Sequence, residues 1–259
     1  MNITFQKRSG NPAFGVAFSW MMTIRADSPV TVTDHFIPEL FYDYFLVMEG
    51  GVRCLDKVQK TEFMLPPQSL KTLYTRPLTF IFSTPLVLYG ACFSLAFAEL
   101  FWREHIEGNS FFEEDWINGP VDNLASFEKQ ITGYIEKKHI RRLAPLLSPA
   151  LGESEWFRHF SPRHKRRLYK TTFGISKKEM WSIHNVHSFL EQTCDFASQN
   201  PRIIQHVDAE IFYDQPHLNH AFKKMTGLSP LEYFETSSIL QDNLMAASYN
   251  ENPVEQDKI

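Results

Sequence analysis

The spacing of apolar residues changes near the middle of the chain. Up to about Phe101, apolar and small residues tend to alternate with a period of two, as from Phe93 to Ala98. This period predicts β-strands, and Gly50-Gly51 between two apolar runs predicts a hairpin turn. Several short strands separated by glycine and proline predict an N-terminal β-rich domain of barrel or sandwich type.

After Pro120 the spacing becomes helical. Leu124, Phe127 and Ile131 recur at steps of three and four residues, which predicts a helix. A long helix is predicted from Met180 to Ala197, with one buried face that contains Ile183, Val186, Leu190 and Cys194. The fold class is therefore α+β, with a β-rich N-terminal part followed by an all-helical part.

One segment near the C-terminus carries the most specific local pattern. It runs from Asp214 to Tyr233 and has the sequence D-Q-P-H-L-N-H-A-F-K-K-M-T-G-L-S-P-L-E-Y. Leu218 and Phe222 share one helix face, and polar residues occupy the others. Gly227 suits the left-handed position after a helix, and Ser229-Pro230 supplies an N-cap and first-turn proline for the next helix.

A weaker copy of this pattern lies upstream. Ser161-Pro162 precedes a basic helix, and Gly174-Ile175-Ser176 ends it and starts the next one. The predicted helix from Met180 would then join the two copies.

These two segments resemble the double helix-turn-helix of AraC/XylS-type transcription regulators, whose second unit follows D-Q-x-H-L-x-R-x-F-K-x-x-x-G-x-S-P-x-x-Y. The resemblance covers roughly residues 145–236. It implies a DNA-binding domain of two helix-turn-helix units joined by a long helix. We expect a β-rich effector or dimerisation domain at 1–118, a helical connector at 119–148, the DNA-binding domain at 149–245 and a polar tail at 246–259.

The resemblance also implies which side chains meet DNA, because the second helix of each unit enters the major groove. Arginine pairs with guanine, and Asn or Gln pairs with adenine, which suits base reading. The base-reading candidates are Arg163, Arg166, Arg167, Gln215, Asn219 and His220. Lys170, Lys223 and Lys224 are the candidates for phosphate contacts.

The sequence departs from the family pattern at several positions. His159 and Ile211 stand where the family usually has glycine in the turn of each unit, and Lys165 stands where it buries leucine. A β-branched residue in a left-handed turn is costly, so we expect a reshaped or strained turn at Ile211. A rival hypothesis is a degenerate regulator that acts as a protein-interaction or ligand-binding module without specific DNA binding.

Charge is distributed unevenly along the chain. The formal net charge is −4, yet residues 137–178 contain twelve Lys and Arg residues against Glu153 and Glu155. Such a local excess is typical of proteins that bind double-stranded DNA, because phosphate contacts supply much of the affinity. A solvated helix face is the other interpretation of a basic cluster.

Composition limits the remaining classes. The 259 residues are 43% hydrophobic, which suits a globular chain, and we expect no membrane span or signal peptide. Three scattered cysteines, with no CxxC spacing, suggest a reducing cytoplasm. No phosphate-binding loop, nucleophile elbow or metal-ligand cluster is evident, so we expect no enzyme activity, metal site or cofactor.

The 23 phenylalanines, many of them in the N-terminal part, leave three uses open. They could fill a core, form a homodimer surface or line a pocket for a small-molecule effector. A second rival hypothesis is a ligand-binding or enzymatic β-domain with a helical appendage. Under the regulator hypothesis, RNA polymerase is a further candidate partner.

Overall fold

The N-terminal half forms a single antiparallel sheet. The computed structural model describes residues 1–100, 106–138, 154–193 and 215–235. Within these ranges the strands are β1 (Asn2–Ser9), β2 (Val16–Arg25), β3 (Thr31–Phe36), β4 (Tyr42–Asp56), β5 (Thr61–Met64), β6 (Gln68–Lys71), β7 (Leu78–Phe93) and β8 (Phe111–Glu113). A short 3-10 helix, Pro12–Phe14, lies between β1 and β2.

Two long strands organise this sheet. The hydrogen-bonded order is β1-β2-β7-β4-β6-β8, while β3 also pairs with β7 and β5 with β4. β7 pairs with β4 on one side, and with β3 and then β2 on the other. The β-rich prediction is confirmed, but among the described residues the pairing does not return from β8 to β1, so the sheet is open rather than a closed barrel.

The hairpin predicted at Gly50-Gly51 is wrong. β4 continues through both glycines, with irregular register against β7 between Val47 and Gly51. Gly50 has φ +82°, and a Cβ there would lie 2.2 Å from the carbonyl oxygen of Pro85. These glycines therefore permit a bulge and a close approach of two strands, which can resemble a turn signal in sequence.

The strand predicted from Phe93 to Ala98 also ends early. β7 stops at Phe93, and α1 (Leu95–Leu100) begins two residues later. The sequence of α1 is Leu-Ala-Phe-Ala-Glu-Leu, rich in strong helix formers, and its alternation of large and small residues is compatible with both structures. Phe97 and Ala98, which are neighbours in sequence, are both buried, as suits a helix packed into a core.

The helices of the second half agree with the predicted spacing. They are α2 (Leu124–Lys137), α3 (Glu155–Arg158), α4 (Pro162–Phe173), α5 (Lys177–Thr193), α6 (Gln215–Thr226) and α7 (Pro230–Glu235). α5 starts three residues before Met180, and Ile183, Val186 and Leu190 are buried on it as predicted. Cys194, the last position of that predicted face, lies outside the described residues.

The helices pack directly against the sheet. One buried cluster includes Tyr44 of the sheet, Phe127 of α2 and Phe222 of α6. The Tyr42 hydroxyl donates to the carbonyl oxygen of Phe173 at 3.2 Å, which fixes the end of α4 against β4. No helix among the described residues is long and apolar enough to cross a membrane.

Candidate nucleic-acid interface

α4 has sharply defined ends. Ser161 is the N-cap, and its hydroxyl accepts a hydrogen bond from the backbone N–H of His164 at 3.3 Å. Pro162 follows at the first helical position, where its missing N–H costs nothing. Gly174 ends the helix with φ +81° in the left-handed region. The sequence signals predicted at both ends are confirmed.

The basic side chains of α4 lie on one exposed face. Arg163, Arg166, Arg167 and Lys170 are all exposed and follow the spacing i, i+3, i+4 and i+7, which places them on one side of a helix. Tyr169 and Phe173 are buried on the other side. The spacing thus separates the side chains that hold the helix in place from those available to a partner.

The turn before α4 differs from the family pattern without strain. His159 has φ −77° and ψ −11°, which is right-handed, so no left-handed residue is needed there. Lys165, which replaces a buried leucine of the family pattern, places its Nζ 5.6 Å from the ring centroid of Phe157. Ile211, the corresponding turn position of the second unit, lies outside the described residues.

α6 has the same division into a buried and an exposed face. Its buried residues are Leu218, Phe222, Met225 and Thr226. Its exposed face holds the five predicted contact residues Gln215, Asn219, His220, Lys223 and Lys224. Gly227 follows with φ +80°. The side chain and backbone of Ser229 form a reciprocal capping box with Glu232 at the start of α7.

α5 contacts both α4 and α6 and serves as their common support. The rings of Phe189 on α5 and Phe222 on α6 meet edge to face, with centroids 5.9 Å apart. Glu179, in the first turn of α5, interacts electrostatically with a lysine of each helix. Partial burial alone would raise the pKa of this carboxyl, but hydrogen bonds from Ser176 and the charges of Lys170 and Lys224 lower it.

The basic candidate side chains form no ion pair within the described part of the chain. The ion pairs between described residues involve Arg8, Arg25, Arg53, Lys71 and Arg76, and none involves a candidate of α4 or α6. Arg167 contacts His164, with 3.0 Å between Nη2 and Nδ1, so Arg167 donates to the imidazole. The positive charges on both helices are therefore open to an anionic partner.

Sequence reasoning missed a buried charged cluster in the sheet. Lys71 Nζ lies 2.6 Å from Asp43 Oδ2 and 3.6 Å from Glu39 Oε1, and the Lys71 side chain is fully buried. Burial raises the pKa of Glu39 well above its usual range, aided by the neighbouring Asp43. The register of β6 against β4 places Lys71 opposite Asp43, and this pairing became visible only in the structure.

A second missed contact joins the sheet to α5. Nε2 of His187 lies 2.6 Å from the carbonyl oxygen of Pro38, in the connection between β3 and β4. Burial lowers the pKa of His187 to about 4, although this hydrogen bond acts in the opposite direction. The neutral imidazole thus donates to Pro38 and holds the middle of α5 against the sheet.

Comparison with known proteins gives only distant likenesses. No family model matches the chain, and the comparison with curated proteins finds no match either. The chain is similar to ToxT from Vibrio cholerae, with 11% identity and a TM-score of 0.41 over 81% of this chain and 98% of that one. An apo form of a ToxT variant gives 11% identity and 0.43 over 88% and 99%. The AraC-like transcriptional activator CuxR gives 11% identity and 0.27 over 95% and 87%. At these identities and TM-scores the likeness does not bear on function.

Proposed function

We propose that this chain is a DNA-binding transcription regulator of AraC type and not an enzyme. One observation carries the proposal. Each of the two segments with the helix-turn-helix sequence pattern forms a helix that is followed by a left-handed glycine, and each helix presents its predicted DNA-contact residues on an exposed face while its apolar face is buried. The residue types at these positions support it further, since arginine pairs with guanine, and Asn or Gln with adenine.

In this proposal the two helices share the work of recognition. Arg163, Arg166 and Arg167 on α4 read guanine edges through their guanidinium groups. Gln215 and Asn219 on α6 are suited to adenine. The side-chain amide N–H donates to N7 of that base, and the amide oxygen accepts from its N6 amino group.

The three candidate lysines contact the DNA backbone, and His220 contacts a base. Lys170, Lys223 and Lys224 contact phosphates and add affinity that does not depend on sequence. His220 stands at a family arginine position and contacts a base edge through an imidazole nitrogen. Gating by a small-molecule effector in the β-rich half would act through the contacts that hold α4 and α5 against the sheet.

The first experiment is retention of genomic DNA fragments by the purified full chain, with sequencing at low and high salt. The proposal expects a few sequences to remain enriched at the higher salt. Retention that high salt erases for every fragment would instead favour a degenerate regulator that binds a protein or a small ligand.

Arginine variants test base reading. Arg163→Ala combined with Arg167→Ala should abolish enrichment of those sites and leave the far-ultraviolet circular dichroism unchanged. The matched control is Arg25→Ala with Arg53→Ala, which removes two exposed arginines of the sheet. Equal affinity of the two double variants for the enriched DNA sites would contradict the role of α4.

Lysine variants test phosphate contacts. Each contact contributes about 0.9 to the slope of log K against log salt, so replacing Lys170, Lys223 and Lys224 by Gln should reduce the slope by about 3. The control replaces three exposed lysines on other elements, Lys57, Lys60 and Lys129, by Gln. A slope that falls equally in both sets would show only a general effect of charge.

A further inference from the structure

A cleft lies between the sheet and α2, away from the proposed DNA-contact helices. Its volume is about 170 Å³, and its ten lining residues come from β1, the β1–β2 connection, β2, β7 and α2. An apolar cavity of roughly 150 Å³ can hold one benzene ring. The cleft is therefore large enough for one small organic molecule.

The lining is apolar at the bottom and polar at the edge. Val16, Ala91, Phe127 and Ile131 contribute buried apolar surface. Ser9, Asn11 and Thr132, which carry hydroxyl or amide groups, also line the cleft, and Ser9 and Asn11 are exposed. An apolar floor with a few polar groups is the usual composition of a small-molecule site.

Glu128 of α2 is the only charged residue among those ten, and its side chain is 22% exposed. One carboxylate oxygen accepts a hydrogen bond from the buried Ser19 hydroxyl. The other pairs with Nη1 of Arg8 at 3.3 Å. A carboxylate offers about four acceptor positions, so these two partners leave room for a further donor.

These features select one class of ligand. An anion would meet no cation among the ten lining residues, and Arg8, which lies beside the cleft, is already paired with Glu128. A metal ion would need more ligands than this single carboxylate, and the described residues contain no group of three His, Cys, Asp or Glu side chains suited to a metal. A ligand cation gains a charge-assisted hydrogen bond, which is about twice as strong as a neutral one.

We propose that this cleft binds a small organic ammonium, whose cationic group hydrogen-bonds Glu128 and whose apolar body, about the size of one aromatic ring, rests on Phe127 and Ile131. Such a ligand would touch both the sheet and α2, and would stabilise the contact between them. The site is separate from the DNA-contact helices, and its test requires no DNA.

The test is isothermal titration calorimetry of the full chain with a matched pair of probes. 2-Phenylethylamine carries the ammonium, and 2-phenylethanol replaces it with a hydroxyl in nearly the same shape. We expect saturable one-to-one binding of the amine that is at least about ten-fold tighter than that of the alcohol. Cyclohexylamine and isobutylamine extend the set to other apolar bodies.

Variants locate the binding. Glu128→Gln should remove the preference for the amine, whereas Glu62→Gln, at an exposed carboxylate of β5 paired with Arg53, should leave it unchanged. Thr132→Leu should weaken the binding of both probes, because the larger side chain fills the edge of the cleft. If Glu128→Gln fails to fold, the comparison of amine and alcohol in the unaltered chain still decides the matter.

Three results would overturn the proposal. They are equal affinity for amine and alcohol, unchanged amine binding in folded Glu128→Gln, and no binding of any of the three amines. Failure here would leave the proposed DNA binding standing, since fragment retention measures that separately.

Discussion

Protonation of His187 should make folding stability depend on pH in a defined window. Burial lowers the pKa of this side chain from 6.5 to about 4; the Pro38 hydrogen bond opposes this, and the charge of His184 lowers the pKa further. Between these two values the unfolded chain binds a proton that the folded chain does not bind. The stability contributed by neutral His187 is therefore complete above about pH 6.5 and is lost as the pH falls toward 4.

The size of this effect follows from the shift. One pKa unit corresponds to about 1.4 kcal/mol, so the stability contributed by neutral His187 should fall by about 2–3 kcal/mol between pH 7.5 and pH 4.5. His187→Gln keeps an N–H donor near Pro38 but cannot titrate in this range. The variant should thus lose less stability on acidification than the natural chain, by about that amount.

Urea unfolding at pH 7.5 and 4.5, followed by circular dichroism, measures the difference. Carboxyl groups that titrate in the same window affect both proteins, and comparing the two proteins cancels their effect. His217→Gln, at an exposed histidine of α6, is the matched control and should behave like the natural chain. Equal acid sensitivity of His187→Gln and the natural chain would refute the assignment of a buried, neutral His187.

The remaining predictions concern the sheet and the end of α4. Lys71→Met should lower the free energy of unfolding by about 3–5 kcal/mol, because it leaves buried carboxyls without their cation; adding Asp43→Asn should recover part of this loss in urea unfolding. Glu39→Gln imitates the protonated acid. Because burial raises the pKa of Glu39 in the folded chain, the stability that this protonated acid contributes falls as the pH rises above about 4.5. The free energy of unfolding of Glu39→Gln, measured against pH, should lack that fall. Gly174→Ala should lower the melting temperature and cost at least about 1 kcal/mol, because φ is +81° and the new Cβ would lie 2.5 Å from the backbone nitrogen of Gly108; an unchanged melting temperature would contradict this reasoning.

Part of the candidate site could be predicted from the sequence because its signals are local. A serine N-cap, a first-turn proline and a left-handed glycine act within one helical turn, so Ser161, Pro162 and Gly174 mark the ends of α4 without knowledge of the fold. The periodicity of α6 likewise separates buried Phe222 from exposed Asn219. Exposure of the nine candidates followed from this spacing, whereas their contact with DNA stays a proposal.

Other features could not be predicted because they depend on distant partners. Gly50 serves the approach of two strands, since a Cβ would meet Pro85, and nothing near Gly50 in sequence shows this. The cleft at Glu128 needs α2 to lie across β2 and β7, whose residues are far from it in sequence.

The sequence by itself determined the α+β order of the chain, both ends of α4, the C-terminal end of α6, and the faces that the apolar residues of these helices bury. Those properties arise from backbone hydrogen bonds and side-chain spacing within a few residues. Only the tertiary structure decided that Lys71 is buried between carboxyls and that His187 is neutral beside Pro38. The physical reason is that burial and charge state depend on what packs around a side chain, and here those neighbours come from other strands and from the far half of the chain.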